Sequence, residues 1–157
     1  MNIREANIHD LKDLNLLYDE LDSFHITSLP AVFQRPRKRL RDQDYFVKAF
    51  SDPERVIFLA EDKEIIGLVE ILTRQSSANT ILVPLKFAVV VDIVVKKQFQ
   101  GKGIGHALME QAETWAKEQK ASLIELDVWE FNKEAKNFYE SLDYETVTRK
   151  MWKRLKK

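Results

Sequence analysis

The sequence predicts an α/β fold: a mixed, mostly antiparallel sheet of six to seven strands with helices on both faces. Three observations predict it. Phe87–Val95, read FAVVVDIVV, is apolar on both alternating faces, as a central strand covered on both sides requires. Two β-rich runs before it, Arg55–Glu61 and Glu64–Leu72, are joined by no helix, so three successive strands are antiparallel neighbours. Segments with apolar residues at helical spacing lie on both sides of these strands in the chain.

Ile3–Asn7 reads as the first strand. Asn7 followed by Asp10 forms a helix-capping pair, and Leu11, Leu14, Leu17, Tyr18 and Leu21 then recur at helical spacing. The Pro-containing stretch Thr27–Pro36 ends that pattern. A second helix is expected over Asp42–Phe50, where Tyr45, Phe46, Ala49 and Phe50 share a face. The turn Asp62-Lys63 closes a hairpin, and Ser76–Thr80 is a loop. After the central strand a helix runs from Gly103 to Glu118, with Ile104, Ala107, Leu108, Ala112 and Trp115 on one side. Leu123–Val128 is a strand. Asn132–Leu142 is a helix carrying Ala135, Phe138, Tyr139 and Leu142, and Tyr144–Leu155 is expected to supply one or two final strands. No repeat or linker divides the 157 residues, so one domain over 1–157 is the expectation.

Composition narrows the function. Lys+Arg and Asp+Glu both number 25, so bulk charge gives no case for nucleic acid or a membrane surface. There is no cysteine, which removes disulfides, thiolate nucleophiles and sulfur-bound zinc. The three histidines, His9, His25 and His106, are too scattered for a metal motif. The polar start MNIREANIHD reads without a signal peptide, and no run reaches the ~18 apolar residues of a membrane span. A cytoplasmic protein is the expectation.

The chemistry concentrates after the central strand. Val94–Gly105 runs VVKKQFQGKGIG: a strand ends, three glycines alternate at Gly101, Gly103 and Gly105, and a helix begins. Glycines let backbone approach an anion closely, and the first N–H groups of a helix point at it with the dipole's positive end. A pyrophosphate suits such a cradle; a glycine-eased turn with no ligand is the other reading. The run is neither a dinucleotide fingerprint, since His106 stands three residues after Gly103, nor a P-loop.

Gln100-Gly101-Lys102-Gly103-Ile104-Gly105 resembles the acyl-CoA loop of the GNAT superfamily of N-acetyltransferases: Arg or Gln, two variable residues, Gly, one variable residue, then Gly or Ala. Asn132, Ala135, Phe138, Tyr139, Leu142 and Tyr144 resemble that superfamily's second motif. Together the motifs cover about the C-terminal two fifths of the chain.

The resemblance implies an acyl-CoA N-acyltransferase that uses acetyl-CoA as cosubstrate, with no metal, and acetylates a primary amine by direct attack in a ternary complex. Backbone N–H groups of Gln100, Gly101, Lys102, Gly103, Ile104, Gly105 and His106 would hold the pyrophosphate. The backbone of Ile93, Val94 and Val95 would pair with the pantetheine arm, at a splay between the fourth and fifth strands. It further implies a CoA contact for Asn132, whose other reading is a helix N-cap. Tyr139 would approach the CoA sulfur and protonate the leaving thiolate, a phenol of pKa ~10 being neutral and able to donate; its other reading is an aromatic core residue.

Asp92 is the only charged side chain in Phe87–Val95, and a carboxylate in such a strand is hydrogen-bonded or used. It is the candidate base and amine ligand, with a structural hydrogen bond as the alternative; Val91 stands where relatives are often acidic, and Glu70 is a second candidate. His25 is a candidate acceptor-pocket residue, or surface. Arg35–Arg41 holds five basic residues in seven, which reads as a solvated loop or as an attractor for acidic groups. Trp129 and Phe131 suit the acceptor opening or a subunit contact. Asp143 replaces the relatives' glycine at a helix end that favours positive φ. Expected partners are a small-molecule or peptide amine, with a homodimer possible by resemblance. A catalytically silent CoA sensor or interaction module is the alternative function.

Overall fold

The computed structural model describes residues 1–38, 40–77, 81 and 83–155. Arg39 of the basic run, Ala78, Asn79 and Thr80 of the expected loop, and Lys156 and Lys157 of the tail lie outside them. The chain divides into two compact units, Met1–Asp127 and Val128–Lys157.

The first unit holds a sheet in the order β1-β2-β3-β4-β5: β1 Asn2–Glu5, β2 Arg55–Asp62, β3 Glu64–Gln75, β4 Lys86–Val95 and β5 Ile124–Leu126. The first four pair antiparallel and β5 joins β4 parallel. The helices are α1 Leu11–Ser28, α2 Gln43–Ser51 and α3 Ile104–Glu118.

Each start has a local cause. Asn7 and Asp10 form a full capping box on the 3-10 turn Ile8–Asp10 that leads into α1: Asn7 Oδ1 accepts from His9 N–H at 3.0 Å and Asp10 Oδ2 accepts from Asn7 N–H at 2.9 Å. Arg4 of β1 adds two bonds to Asp10, both 2.8 Å, and so ties strand to helix. Asp42 caps α2 by accepting from Tyr45 N–H at 3.0 Å. The hairpin between β2 and β3 turns at Lys63, whose φ is 62°.

One core of the unit joins α1 and α2 to the sheet. Leu14, Leu17 and Tyr18 of α1 and Phe46 and Ala49 of α2 pack with Ile57, Leu59, Ile65, Leu68 and Val94 from the strands. Ile104, Leu108, Met109, Ala112, Trp115 and Ala116 of α3 are also buried. A bulge decides which way Asp92 points. In the β3–β4 register Glu70 faces Asp92 while its neighbour Ile71 faces Val90, so Val91 is an extra residue. Cross-strand partners share a face, so the insertion turns Asp92 to the side of Glu70 and away from that of Val90.

In the second unit, α4 Lys133–Glu140 is capped by Asn132, whose Oδ1 accepts from Ala135 N–H at 3.1 Å. Asp143 adopts φ 63°, and Tyr144 N–H and Asp143 N–H return to Tyr139 O and Glu140 O, both at 3.1 Å. These two bonds are the Schellman closure.

The expected count of six to seven strands is corrected by the structure. Among the described residues there are five, and the final strands expected over Tyr144–Leu155 are not formed. A strand across this segment would have no clean apolar face: Val147, Met151 and Leu155 alternate with Glu145, Arg149 and Lys153 on one side, and Tyr144 and Trp152 share the other with Lys150 and Arg154. No helix of the described residues is long and apolar enough to cross a membrane.

Candidate functional site

Two features of the first unit meet at the end of β4. The first is a strand edge without a ladder partner among the described residues. β5 pairs with β4 only at Ala88, Val89 and Val90, whereas β3 accompanies β4 as far as Val95. Among the described residues no strand lies beside Val91–Val95 on the β5 side. Ile93, Val94 and Val95 therefore occupy a stretch partnered on one edge.

The second is the loop that this stretch enters. Gly101 and Gly103 take φ 73° and 80°, values that favour glycine, and a Cβ built on either meets nothing within 4 Å. The loop backbone thus faces open space. Gly103 caps α3, and the helical ladder begins where Ala107 N–H donates to Gly103 O at 3.1 Å. The amides from Gly101 to Gly105 precede that ladder, at the positive end of a 15-residue helix. Gln100 Nε2 donates to Val95 O at 2.9 Å and ties loop to strand end, while Lys102 Nζ lies 5.2 Å from the Phe99 ring centre. His106 follows in the first turn of α3.

A polar network occupies the α1 side of β3 and β4. Glu70 is fully buried. Its carboxylate accepts from the Tyr18 hydroxyl of α1, from the Tyr45 hydroxyl of α2 at 2.9 Å, and from Arg55 of β2 through Nε at 2.5 Å. Burial pushes the Tyr18 phenol well above its ordinary value, with the Glu70 charge adding to it. Asp92 lies next to this network. Its side chain is 19% exposed and accepts from Arg41 Nη2 at 3.1 Å. Burial lifts its carboxyl to about 6, against the pull of Arg41 and with the push of Glu70. Arg41 also reaches Asp22 of α1, with Nη1 at 3.2 and 3.1 Å from its two oxygens, and its guanidinium lies 4.1 Å from the Tyr18 ring centre.

Beside Arg41 opens a cavity of about 330 Å³. One wall is α1, through Asn15, Tyr18, Asp19, Asp22, Ser23 and Ile26; the other is Arg35, Pro36, Leu40 and Arg41. His25 is not among these residues. Its Nδ1 lies 3.0 Å from Leu21 O, and its ring is 5.2 Å from that of Phe33. In the second unit, Tyr139 is half-buried, its ring 5.2 Å from Phe138 and 5.9 Å from Tyr144, and Trp129 stacks on Phe131 at 6.4 Å. Among the described residues no group of three His, Asp or Glu is arranged to hold a metal.

The structure thus brings Ile93–Val95 and the glycine loop together, and sets Asp92 beside Glu70. Sequence reading missed Arg41, Asp22, Tyr18, Tyr45 and Arg55 as one network. The one signal was Arg41, in a run that read as a solvated loop or as an attractor for acidic groups; its side chain is 18% exposed and ion-paired.

Residues 15–144 match the profile of the Acetyltransferase (GNAT) family. An uncharacterized N-acetyltransferase of Archaeoglobus fulgidus is 32% identical over 145 residues, covering 91% of this chain and 92% of that protein. The uncharacterized N-acetyltransferase YhfO of Bacillus subtilis is 27% identical over 150 residues, covering 94% and 92%. The crystal structure of a single-site mutant of the BH1408 protein of Bacillus halodurans superposes with a TM-score of 0.92 at 25% identity, covering 99% of both chains. The chain belongs to the GNAT family and is an acetyltransferase.

Proposed function

We propose that residues 1–157 act as one N-acetyltransferase domain that transfers the acetyl group of acetyl-CoA to a primary amine. The observation that carries this reading is the edge of β4 left unpaired by β5 beyond Val90, running straight into a glycine loop with an open backbone. An extended pantetheine arm fits the first as an added strand at Ile93, Val94 and Val95. A pyrophosphate fits the second through the amides from Gln100 to His106. Asn132 contributes a CoA contact by its place in the second motif.

Asp92 is the proposed base. At about 6 its carboxyl is ionised at neutral pH yet basic enough to receive a proton from an incoming ammonium. The neutral amine then attacks the thioester carbonyl carbon; the C–N bond forms, the C–S bond breaks, and the nitrogen gives its surplus proton to water. Tyr139 gives its phenolic proton to the departing thiolate and is restored by that proton through water. The chain has no cysteine, so no acetyl-cysteine forms on the way.

Calorimetry with coenzyme A tests the cradle, and thiol release from acetyl-CoA across an amine panel tests the chemistry. Tight coenzyme A binding with no thiol release from any amine would replace this reading with the silent-sensor one. Tyr139→Phe is expected to lower kcat by about 10²-fold with little change in coenzyme A affinity. An unchanged kcat would remove Tyr139 from the chemistry.

A further inference from the structure

Arg41 comes from Leu29–Asp42, whose described residues form only turns, bends and irregular chain. The groups that hold its guanidinium stand on regular elements instead: Asp22 and Tyr18 on α1, and Asp92 on β4. Two carboxylates and an aromatic face are what a guanidinium or ammonium ion binds in any protein. Here that site is built on the scaffold and filled by a side chain from a loop.

A second observation points the same way. Asn15 Oδ1, in the α1 wall of the cavity beside Arg41, is buried and has no hydrogen-bond partner among the described residues. A buried carbonyl oxygen without a donor is costly, so the α1 wall is one N–H donor short at Asn15. Moving Arg41 out would leave the Asp22 and Asp92 carboxylates without the guanidinium that joins them.

Arg41 is poorly placed to receive an acceptor's carboxylate. Nη1 is committed to Asp22, Nη2 to Asp92 and one face to Tyr18. An incoming anion would have to displace a fixed carboxylate, whereas an incoming cation has only to replace Arg41.

We propose that the cavity between α1 and the wall of Arg35, Pro36, Leu40 and Arg41 is the subsite for a second cationic group of the acceptor, a diamine or guanidino-amine, and that Arg41 is an internal guanidinium holding that subsite until the acceptor takes its place. This rests on the acetyltransferase reading and narrows its substrate class. Arg41 is a specificity-determining residue in this scheme: a competitor inside the protein lowers apparent affinity by the fraction of molecules in which it occupies the site.

Binding is measured by calorimetry on the full chain without acetyl-CoA, using agmatine, putrescine, butylamine and 4-aminobutyrate. Arg41→Gln is expected to bind agmatine about tenfold more tightly than the unaltered chain, with butylamine changed less than about twofold. Adding Asp22→Asn to that variant is expected to erase the gain. Asp22→Asn alone, at a partly exposed position of α1, is expected to weaken agmatine binding about fivefold, a readout that holds even if Arg41→Gln does not fold. Agmatine affinity unmoved in Asp22→Asn, reduced by Arg41→Gln, or exceeded by that of 4-aminobutyrate overturns the proposal. Thiol release from acetyl-CoA is scored separately. Agmatine binding without acetylation would sink the transfer reading and leave the subsite standing; acetylation indifferent to these variants would do the reverse.

Discussion

Asp92 and Asp143 show how much a single position can carry. Asp92 has a carboxyl raised by burial, so its contribution to stability runs against its use. Below about pH 4 it is protonated whether the chain is folded or not. Between there and about 6 the folded chain keeps a proton that the unfolded chain has released, so stability falls as pH rises across that window. Asp92→Asn is therefore expected to raise stability at pH 7.5 by on the order of 2 kcal/mol in urea titrations, with the gain gone at pH 3.5. The same variant is expected to lose about 10²-fold in kcat/KM and to abolish an acid limb with a midpoint near 6 in the pH–rate profile. Asp143 has no such conflict. It closes the end of α4 at φ 63°, where glycine is unstrained, so Asp143→Gly is expected to add about 1 kcal/mol and raise the melting temperature by about 2–4 °C. This position was legible in the sequence, because only a helix end with positive φ asks for glycine there. Asp92 was legible as an anomaly; its partner Arg41, 51 residues away, was not.

At the scale of elements, the capping box before α1 is held from both sides. Arg4 keeps the Asp10 carboxyl below its ordinary range, with the Asn7 N–H helping against the cost of burial. That stabilisation is complete above about pH 4 and fades as acid protonates the carboxyl, the opposite sign to Asp92. Asp10→Ala is expected to cost about 2 kcal/mol at pH 7 by urea midpoint, and less at pH 2.5. Local signals made such elements readable: Asn7 with Asp10, the face shared by Tyr45, Phe46, Ala49 and Phe50, and glycines where a strand yields to a helix. The tail was misread because single apolar residues in Tyr144–Leu155 suggest strand without supplying a continuous face. Likewise the basic run was read by composition alone, and composition does not report that Asp22 lies 19 residues before Arg41 in reach of its guanidinium.

For the molecule as a whole, a ligand bound by backbone amides of the native chain stabilises that chain by mass action. At about 100 times its dissociation constant, coenzyme A is expected to add ~2.7 kcal/mol, a rise of roughly 5–10 °C in a thermal melt. A melt unmoved by coenzyme A would contradict the cradle at Gly101–Gly105. Glu70 has a reach of its own, since one carboxylate on β3 receives hydrogen bonds from α1, α2 and β2. Losing Arg55 alone would strand a charge in a dry interior, which costs about 3–5 kcal/mol; exchanging Arg55 and Glu70 together for apolar residues of similar volume would cost far less. A double-mutant cycle is expected to expose that coupling. Among relatives the arginine and the acid are therefore expected to be replaced together, since a chain that has lost only the arginine carries that weakness alone.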